Sequence, residues 1–121
     1  MYELTVEFEF SAAHRLREYH GACEKLHGHN WRVELVVCGE KLDKLGMLMD
    51  FRQLKEALKN VLERFDHVFL NELPDFAEQN PTTENLARII FEECGRFMPQ
   101  NVRVRQASVW ESERCGARYS A

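Results

Sequence analysis

Four of the five histidines of this 121-residue chain crowd into one short stretch, at His14, His20, His27 and His29. In His27-Gly28-His29 two imidazoles stand at i and i+2. On an extended chain such residues point to one face, because strand side chains alternate, so both rings can reach a single metal ion, and Gly28 leaves room on the opposite side. His14 sits just past a first strand candidate, and a neighbouring antiparallel strand would bring it close. Three neutral imidazoles suit Zn²⁺ and leave a fourth position for water or substrate, as in catalytic zinc sites. Taken alone, the pair is equally the pattern of surface or capping histidines.

Three further places could carry chemistry. Cys23, four residues before His27, admits three readings: a fourth ligand that closes a structural site, a thiolate base or nucleophile, or a small buried hydrophobe. Asp66-His67 is a carboxylate beside an imidazole, a common acid–base unit. Strand neighbours point to opposite faces, so direct pairing requires a turn there; the other reading is a solvated helix terminus. Glu111 follows Trp110 at the end of the last strand candidate, where a carboxylate could accept two N–H bonds from a guanidine-like heterocycle edge or remain a solvated charge.

The elements that position these residues are legible in the apolar spacing. Tyr2, Leu4, Val6, Phe8 and Phe10 alternate with Glu3, Thr5, Glu7 and Glu9, the period of a half-buried strand. A second strand is predicted from about Asn30 to Cys38, a short returning strand at Met47 to Met49, and a last one over Val102 to Glu111. In the last, apolar parity changes between Val104 and Ala107, as at a bulge. Phe51, Leu54, Leu58, Val61, Leu62 and Phe65 fall at helical spacing, with Asp50 as N-cap and Gln53 in a variant capping box. The first helix is placed at about 51 to 65. Leu86, Ile89, Ile90, Cys94 and Phe97 mark a second, with Thr82 as N-cap and Glu84 in the first turn. Grouped strands and grouped helices define an α+β domain spanning 1–121, with helices on one face of an antiparallel sheet.

Sixteen basic against twenty acidic residues give a net charge of −4, which excludes a generic nucleic-acid binder. Hydrophobic content of 45% argues against disorder. The N-terminus has no basic start or continuous apolar core of a signal peptide, and no apolar run approaches the ~20 residues of a membrane span. The four cysteines, Cys23, Cys38, Cys94 and Cys115, fit no evident disulfide scaffold. A cytoplasmic protein with reduced thiols is expected, with no nucleic-acid or membrane partner.

FSAAHRL (Phe10 to Leu16), CEKLHGHNW (Cys23 to Trp31), LMDF (Leu48 to Phe51), FDHVFLN (Phe65 to Asn71), NPTTEN (Asn80 to Asn85) and WES (Trp110 to Ser112) together resemble the 6-pyruvoyl-tetrahydropterin synthase family. They occur in family order and span nearly the whole chain. HGH alone is a weak signal, whereas the six together are specific. The three residues between Cys23 and His27 look like the subgroup that forms 6-carboxy-tetrahydropterin in queuosine biosynthesis; 6-pyruvoyl enzymes usually have a longer gap. The resemblance implies a tunnelling fold, a four-stranded antiparallel sheet with two helices on one face. It also implies a homo-hexamer, a dimer of trimers with active sites between subunits.

The same resemblance implies His14, His27 and His29 as zinc ligands, Cys23 as catalytic base and Asp66 with His67 as proton relay. It implies Glu111 as the carboxylate that anchors the pterin ring, and Thr82, Thr83 and Glu84 as lining of the pterin pocket. The implied substrate is 7,8-dihydroneopterin triphosphate, converted with water to 6-carboxy-tetrahydropterin, acetaldehyde and triphosphate. Arg15, Arg17 and Lys25 are the cations nearest in sequence for the triphosphate. The alternatives are a 6-pyruvoyl activity, which eliminates triphosphate without breaking the carbon chain, and a non-catalytic zinc- or pterin-binding protein on the same fold.

Overall fold

The computed structural model describes residues 1–19, 21 and 23–121. The alternating N-terminal segment forms β1, Tyr2–His14, and the run after the histidine pair forms β2, His27–Gly39. They pair antiparallel along their whole length, from Tyr2 opposite Gly39 to His14 opposite His27. Val6, Phe10, Ala12 and His14 are buried on the face shared with Trp31, Val33, Leu35 and Val37, while Glu3, Thr5, Glu7 and Glu9 are exposed on the other. This is the segregation that a two-residue side-chain period imposes.

The sheet grows outward from this pair. β4, Arg103–Trp110, lies antiparallel to β2. Its register slips where Val36 faces Gln106 but Val37 faces Val104, which leaves Arg105 over as a bulge. That is the feature expected from the parity change between Val104 and Ala107. β5, Gly116–Tyr119, pairs antiparallel with β4, and the two-residue β3, Val68–Phe69, pairs parallel with Ala12 and Ala13 of β1. The order is β3-β1-β2-β4-β5, so the sheet is five-stranded and mixed, not four-stranded and antiparallel. β3 and β5 escape sequence reading because neither is long enough to display a period.

The strand expected at Met47 to Met49 does not form. The Asp43 carboxylate accepts the N–H groups of Leu45 (2.8 Å) and Met47 (3.0 Å), and Gly46 takes a left-handed φ of 83°. Donors that a sheet would need are thereby held in a turn. Leu48 and Met49 are buried as the link into α1, Phe51–Leu62.

In α1 the Asp50 carboxylate caps the helix by accepting Arg52 N–H at 2.8 Å, one residue short of the Gln53 contact expected of a capping box. Leu54, Ala57, Leu58, Val61 and Leu62 face the core. The helical span anticipated to residue 65 ends as a tighter 3₁₀ turn over Glu63–Phe65. α2, Thr83–Gly95, is capped as expected by the Thr82 hydroxyl, which accepts Asn85 N–H at 3.1 Å. It buries Leu86, Ala87, Ile89, Ile90 and Cys94. Burial pushes the Cys94 thiol up to about 12, so it stays an uncharged hydrophobe. α1 packs on β1 and α2 on β4 and β5. Arg64 fastens the segment between the helices to α2 through Asp75 (2.9 Å) and Glu93 (3.0 Å), its guanidinium stacked 4.4 Å from the Phe65 ring centre. All four cysteines are free. Among the described residues no helix is long and apolar enough to cross a membrane.

The β4–β5 turn depends on a glycine. Trp110 pairs with Gly116, and a Cβ on Gly116 would fall 2.6 Å from the Trp110 ring and 2.9 Å from the Val109 carbonyl. Overpacking of this kind costs about 1–3 kcal/mol. Gly116→Ala is expected to lose that much in a denaturant titration, with a changed Trp110 emission; an unchanged midpoint would contradict the contact.

Candidate metal centre and its surroundings

Because β1 and β2 pair at their ends, His14 lies directly opposite His27, and Ala12 opposite His29. The three rings emerge on the buried face, one ligand atom from each lying within 4.8 Å of the others. His14 is only 3% exposed. Trp31 forms the floor. Its ring meets His14 edge-on at 4.8 Å and His29 at 5.1 Å, stacks on Phe10 at 5.9 Å, and is pinned by its indole N–H to the Ala12 carbonyl. Trp31 was absent from the expected site, although its place two residues after His29 puts it on the same face.

The hydrogen bonds fix which nitrogens face inward. His14 Nδ1 lies 2.8 Å from the Pro81 carbonyl and His27 Nδ1 2.8 Å from the Lys25 carbonyl. A carbonyl only accepts, so both Nδ1 atoms carry the proton. A neutral imidazole has one N–H, so the two Nε2 atoms, 3.1 Å apart, face each other with lone pairs. His29 Nε2 is buried without any hydrogen-bond partner. Three convergent imidazole nitrogens, with the His14 and His27 rings held from behind by their Nδ1–H groups, are what a divalent cation satisfies; the residues fit a metal ion.

Glu111 Oε2 lies 3.8 Å from His29 Nε2. Its backbone N–H bonds the Cys115 carbonyl at 3.0 Å, and the Ser112 hydroxyl caps the turn beyond it. Glu111 borders a cavity of about 220 Å³ whose other walls include His14, His27, Thr82, Thr83 and Glu84. Thr83 donates its hydroxyl proton to Glu84 at 2.9 Å.

Asp66 and His67 pair as the sequence allowed only through a turn. His67 takes a left-handed φ of 58°, and its Nδ1 reaches Asp66 Oδ1 at 2.8 Å. Asp66 Oδ1 also accepts Ser11 N–H at 2.9 Å, while His67 N–H donates to the Ser11 carbonyl. Both residues are thus anchored to one residue of β1. The His67 side chain is 80% exposed and borders a different, open hollow with Ser11, Ala13, Gly28 and Asn30. Within one chain, then, the pair does not share the cavity of Glu111. Cys23 is exposed on the β1–β2 connection and lines neither space.

Of the three cations considered for a triphosphate, Arg17 is committed elsewhere. Its guanidinium donates to the carbonyls of Phe76 and Gln79. Arg15 lies 6.0 Å from the Phe69 ring centre, and Lys25 is exposed.

A three-imidazole cluster at one end of the β1–β2 pair, in a sheet with two helices packed on it, defines an α+β protein of the tunnelling type with a candidate metal centre. The family described as 6-pyruvoyl tetrahydropterin synthase matches residues 3–121. A Pyrococcus furiosus protein named dihydroneopterin monophosphate aldolase is 39% identical over 109 residues, covering 88% of this chain and 87% of that one. The Bacillus subtilis 6-carboxy-5,6,7,8-tetrahydropterin synthase is 37% identical over 102 residues, 80% of this chain and 68% of that one. The solved Caenorhabditis elegans 6-pyruvoyl tetrahydropterin synthase superposes with a TM-score of 0.82 at 26% identity, covering 100% of this chain and 97% of that chain. The chain belongs to the 6-pyruvoyl tetrahydropterin synthase family.

Burial holds the His14 pKa below its ordinary value of 6.5, reinforced by the neighbouring His27 and His29 and opposed by the Pro81 hydrogen bond. With a lowered folded pKa, the unfolded chain binds the proton more readily, so stability is level above 6.5 and falls as pH drops below it. For the metal-free protein the denaturation midpoint should decline below about pH 6.5. The decline should be shallower in His14→Gln; equal slopes would contradict the burial.

Proposed function

We propose that this chain is a 6-carboxy-tetrahydropterin synthase: it converts 7,8-dihydroneopterin triphosphate and water to 6-carboxy-tetrahydropterin, acetaldehyde and triphosphate. The observation that carries the reading is the convergence of three imidazole nitrogens beside a cavity bordered by Glu111. The relatives carrying that name, such as the Bacillus subtilis protein at 37% identity, support the choice of reaction. His14, His27 and His29 would hold Zn²⁺, which as a Lewis acid acidifies side-chain hydroxyls and stabilises charge developing on oxygen.

The chain's own residues supply the remaining chemistry. Glu111 accepts N–H bonds from the pyrimidine edge of the pterin and fixes its orientation. Thr82, Thr83 and Glu84 border the same cavity and contact the ring. Cys23, exposed and free of a disulfide, acts as thiolate base on the substrate side chain. His67 has Nδ1 committed to Asp66, so Nε2 remains to take up and return a proton. Cys23 and His67 stand apart from the Glu111 cavity within one chain, which favours sites completed between subunits of a hexamer. The four free thiols fit a reducing cytoplasm.

The Pyrococcus furiosus relative favours a second reading: aldol cleavage of a dihydroneopterin carrying one phosphate. The engagement of Arg17 with backbone carbonyls leaves fewer cations for a triphosphate, in keeping with that alternative. Fed the triphosphate, the zinc-loaded protein should release acetaldehyde together with free triphosphate. Cleavage of the monophosphate to an aldehyde that keeps its phosphate, with no turnover of the triphosphate, would establish the second reading instead. A pyruvoyl pterin without acetaldehyde would establish triphosphate elimination.

Two variants divide the roles. Cys23→Ala should retain zinc and lose turnover by about 10²–10⁴-fold, the usual range for a proton-transfer group; loss of zinc would make Cys23 a ligand. Glu111→Ala should raise KM about 10–100-fold, the size of a lost charge-assisted hydrogen-bond pair, with zinc content unchanged. An unaltered KM would remove Glu111 from pterin binding.

A further inference from the structure

Two asparagines at the edges of the quoted motifs have no place in the reaction above, and both grip the backbone just after His14. Asn71 Oδ1 accepts Arg15 N–H at 3.0 Å, and its Nδ2 donates to the Arg15 carbonyl at 2.8 Å. Asn80 repeats the arrangement two residues on: Oδ1 accepts Arg17 N–H at 2.8 Å, and Nδ2 donates to the Arg17 carbonyl at 3.1 Å. Each carboxamide behaves like one rung of a sheet ladder.

The two grips differ in what they are connected to. Asn80 is bonded covalently to Pro81, whose carbonyl accepts from His14 Nδ1. The Asn80 carbonyl accepts Thr82 N–H at 2.9 Å, which closes a tight turn centred on Pro81, and Asn85 Nδ2 at 2.8 Å, which ties that turn to the first turn of α2. Proline fixes φ at this centre. Arg17 adds a second hold by donating to the Phe76 and Gln79 carbonyls of the same loop. The contacts form a ring: His14 leads along the chain to Arg17, Arg17 pairs with Asn80, and Asn80 carries Pro81 back to His14.

We propose that Asn80, clamped by Arg17, is a positioning residue of the metal centre: it holds the Pro81 carbonyl where His14 Nδ1–H must donate, and so aims His14 Nε2 at the ion. The inference rests on the reading of the three histidines as metal ligands. It assigns Arg17 to this support and not to phosphate. Partners behind a ligating imidazole are typically worth about 10–100-fold in metal affinity, and here that partner is a backbone carbonyl whose placement depends on the neighbouring Asn80 side chain, which bonds Arg17 and none of the three histidines.

The test compares Asn80→Ala with Asn71→Ala, which removes the same two hydrogen bonds from Arg15 but has no link to Pro81. Zinc affinity is measured by competition with a chromophoric chelator, and the ligand field by the visible absorption of the Co²⁺-substituted protein. Asn80→Ala should weaken zinc by about 10–100-fold and alter the Co²⁺ bands; Asn71→Ala should lose similar thermal stability and keep both readouts. Asn80→Asp retains the oxygen facing Arg17 and loses one donor, so it should fall between wild type and Asn80→Ala; it also serves if the alanine variant does not fold. Zinc affinity of Asn80→Ala or Asn80→Asp equal to wild type, or equal weakening in Asn71→Ala, would overturn the proposal. A wild-type chain that takes up no zinc would overturn the metal centre, and this inference with it, and is told apart by the wild-type titration alone.

Discussion

The antiparallel register of β1 on β2 is the constraint from which the rest of the structure follows. Thirteen consecutive pairs run from Tyr2 and Gly39 to His14 and His27. Within them the buried Val6, Phe10 and Ala12 face the same side as Trp31, Val33 and Leu35. A slip of one residue in β1 would turn its side chains to the opposite face, exposing Val6, Phe10 and Ala12 and turning Glu7 and Glu9 toward the side of Trp31 and Leu35. The same slip would separate the imidazoles. Hydrophobic burial, worth about 25 cal/mol per Å² of apolar area, therefore enforces the geometry of polar donors that contribute nothing to it.

That coupling explains how a buried polar cluster can persist in a small protein. Burial disfavours charge on His14, and His29 Nε2 lacks a partner. Buried polar atoms without partners are costly. The stacked Phe10–Trp31 pair and the core beneath it supply the frame against which this cost is set, and a bound cation would remove the cost by satisfying the lone pairs.

Much of this was legible because it repeats. Alternation located β1 and β2, helical spacing located α1 and α2, and the Asp50 and Thr82 caps fell where short polar side chains precede apolar runs. The shared face of His27 and His29 was legible because residues at i and i+2 point the same way on a strand, though the pair alone fits surface histidines equally; the ladder brings His14 to it. What stayed hidden has no period or no side-chain signature. β3 is two residues long. β5 contains Gly116, which is there to receive the Trp110 ring. Met47 to Met49 looks like a strand until the Asp43 carboxylate claims its donors. The support of His14 comes from the carbonyl of Pro81, and a carbonyl is present at every residue, so residue type could not single it out. Proximity in sequence points Arg17 toward the histidine stretch, whereas its partners, at Phe76 and Gln79, lie some sixty positions away.

His14 and His27 are the closing pair of a hairpin, and this separates two properties that are usually entangled. His14 and His27 belong to the ladder; the described residues of the connection between them belong to neither strand. Lengthening such a connection costs little, roughly 0.6 kcal/mol for each doubling, and leaves the closing pair in place. Cys23 rides on that connection. The reach of its thiol can therefore be changed by insertion or deletion while the imidazoles keep their spacing, so the thiol and the imidazoles form separately adjustable parts of one hairpin.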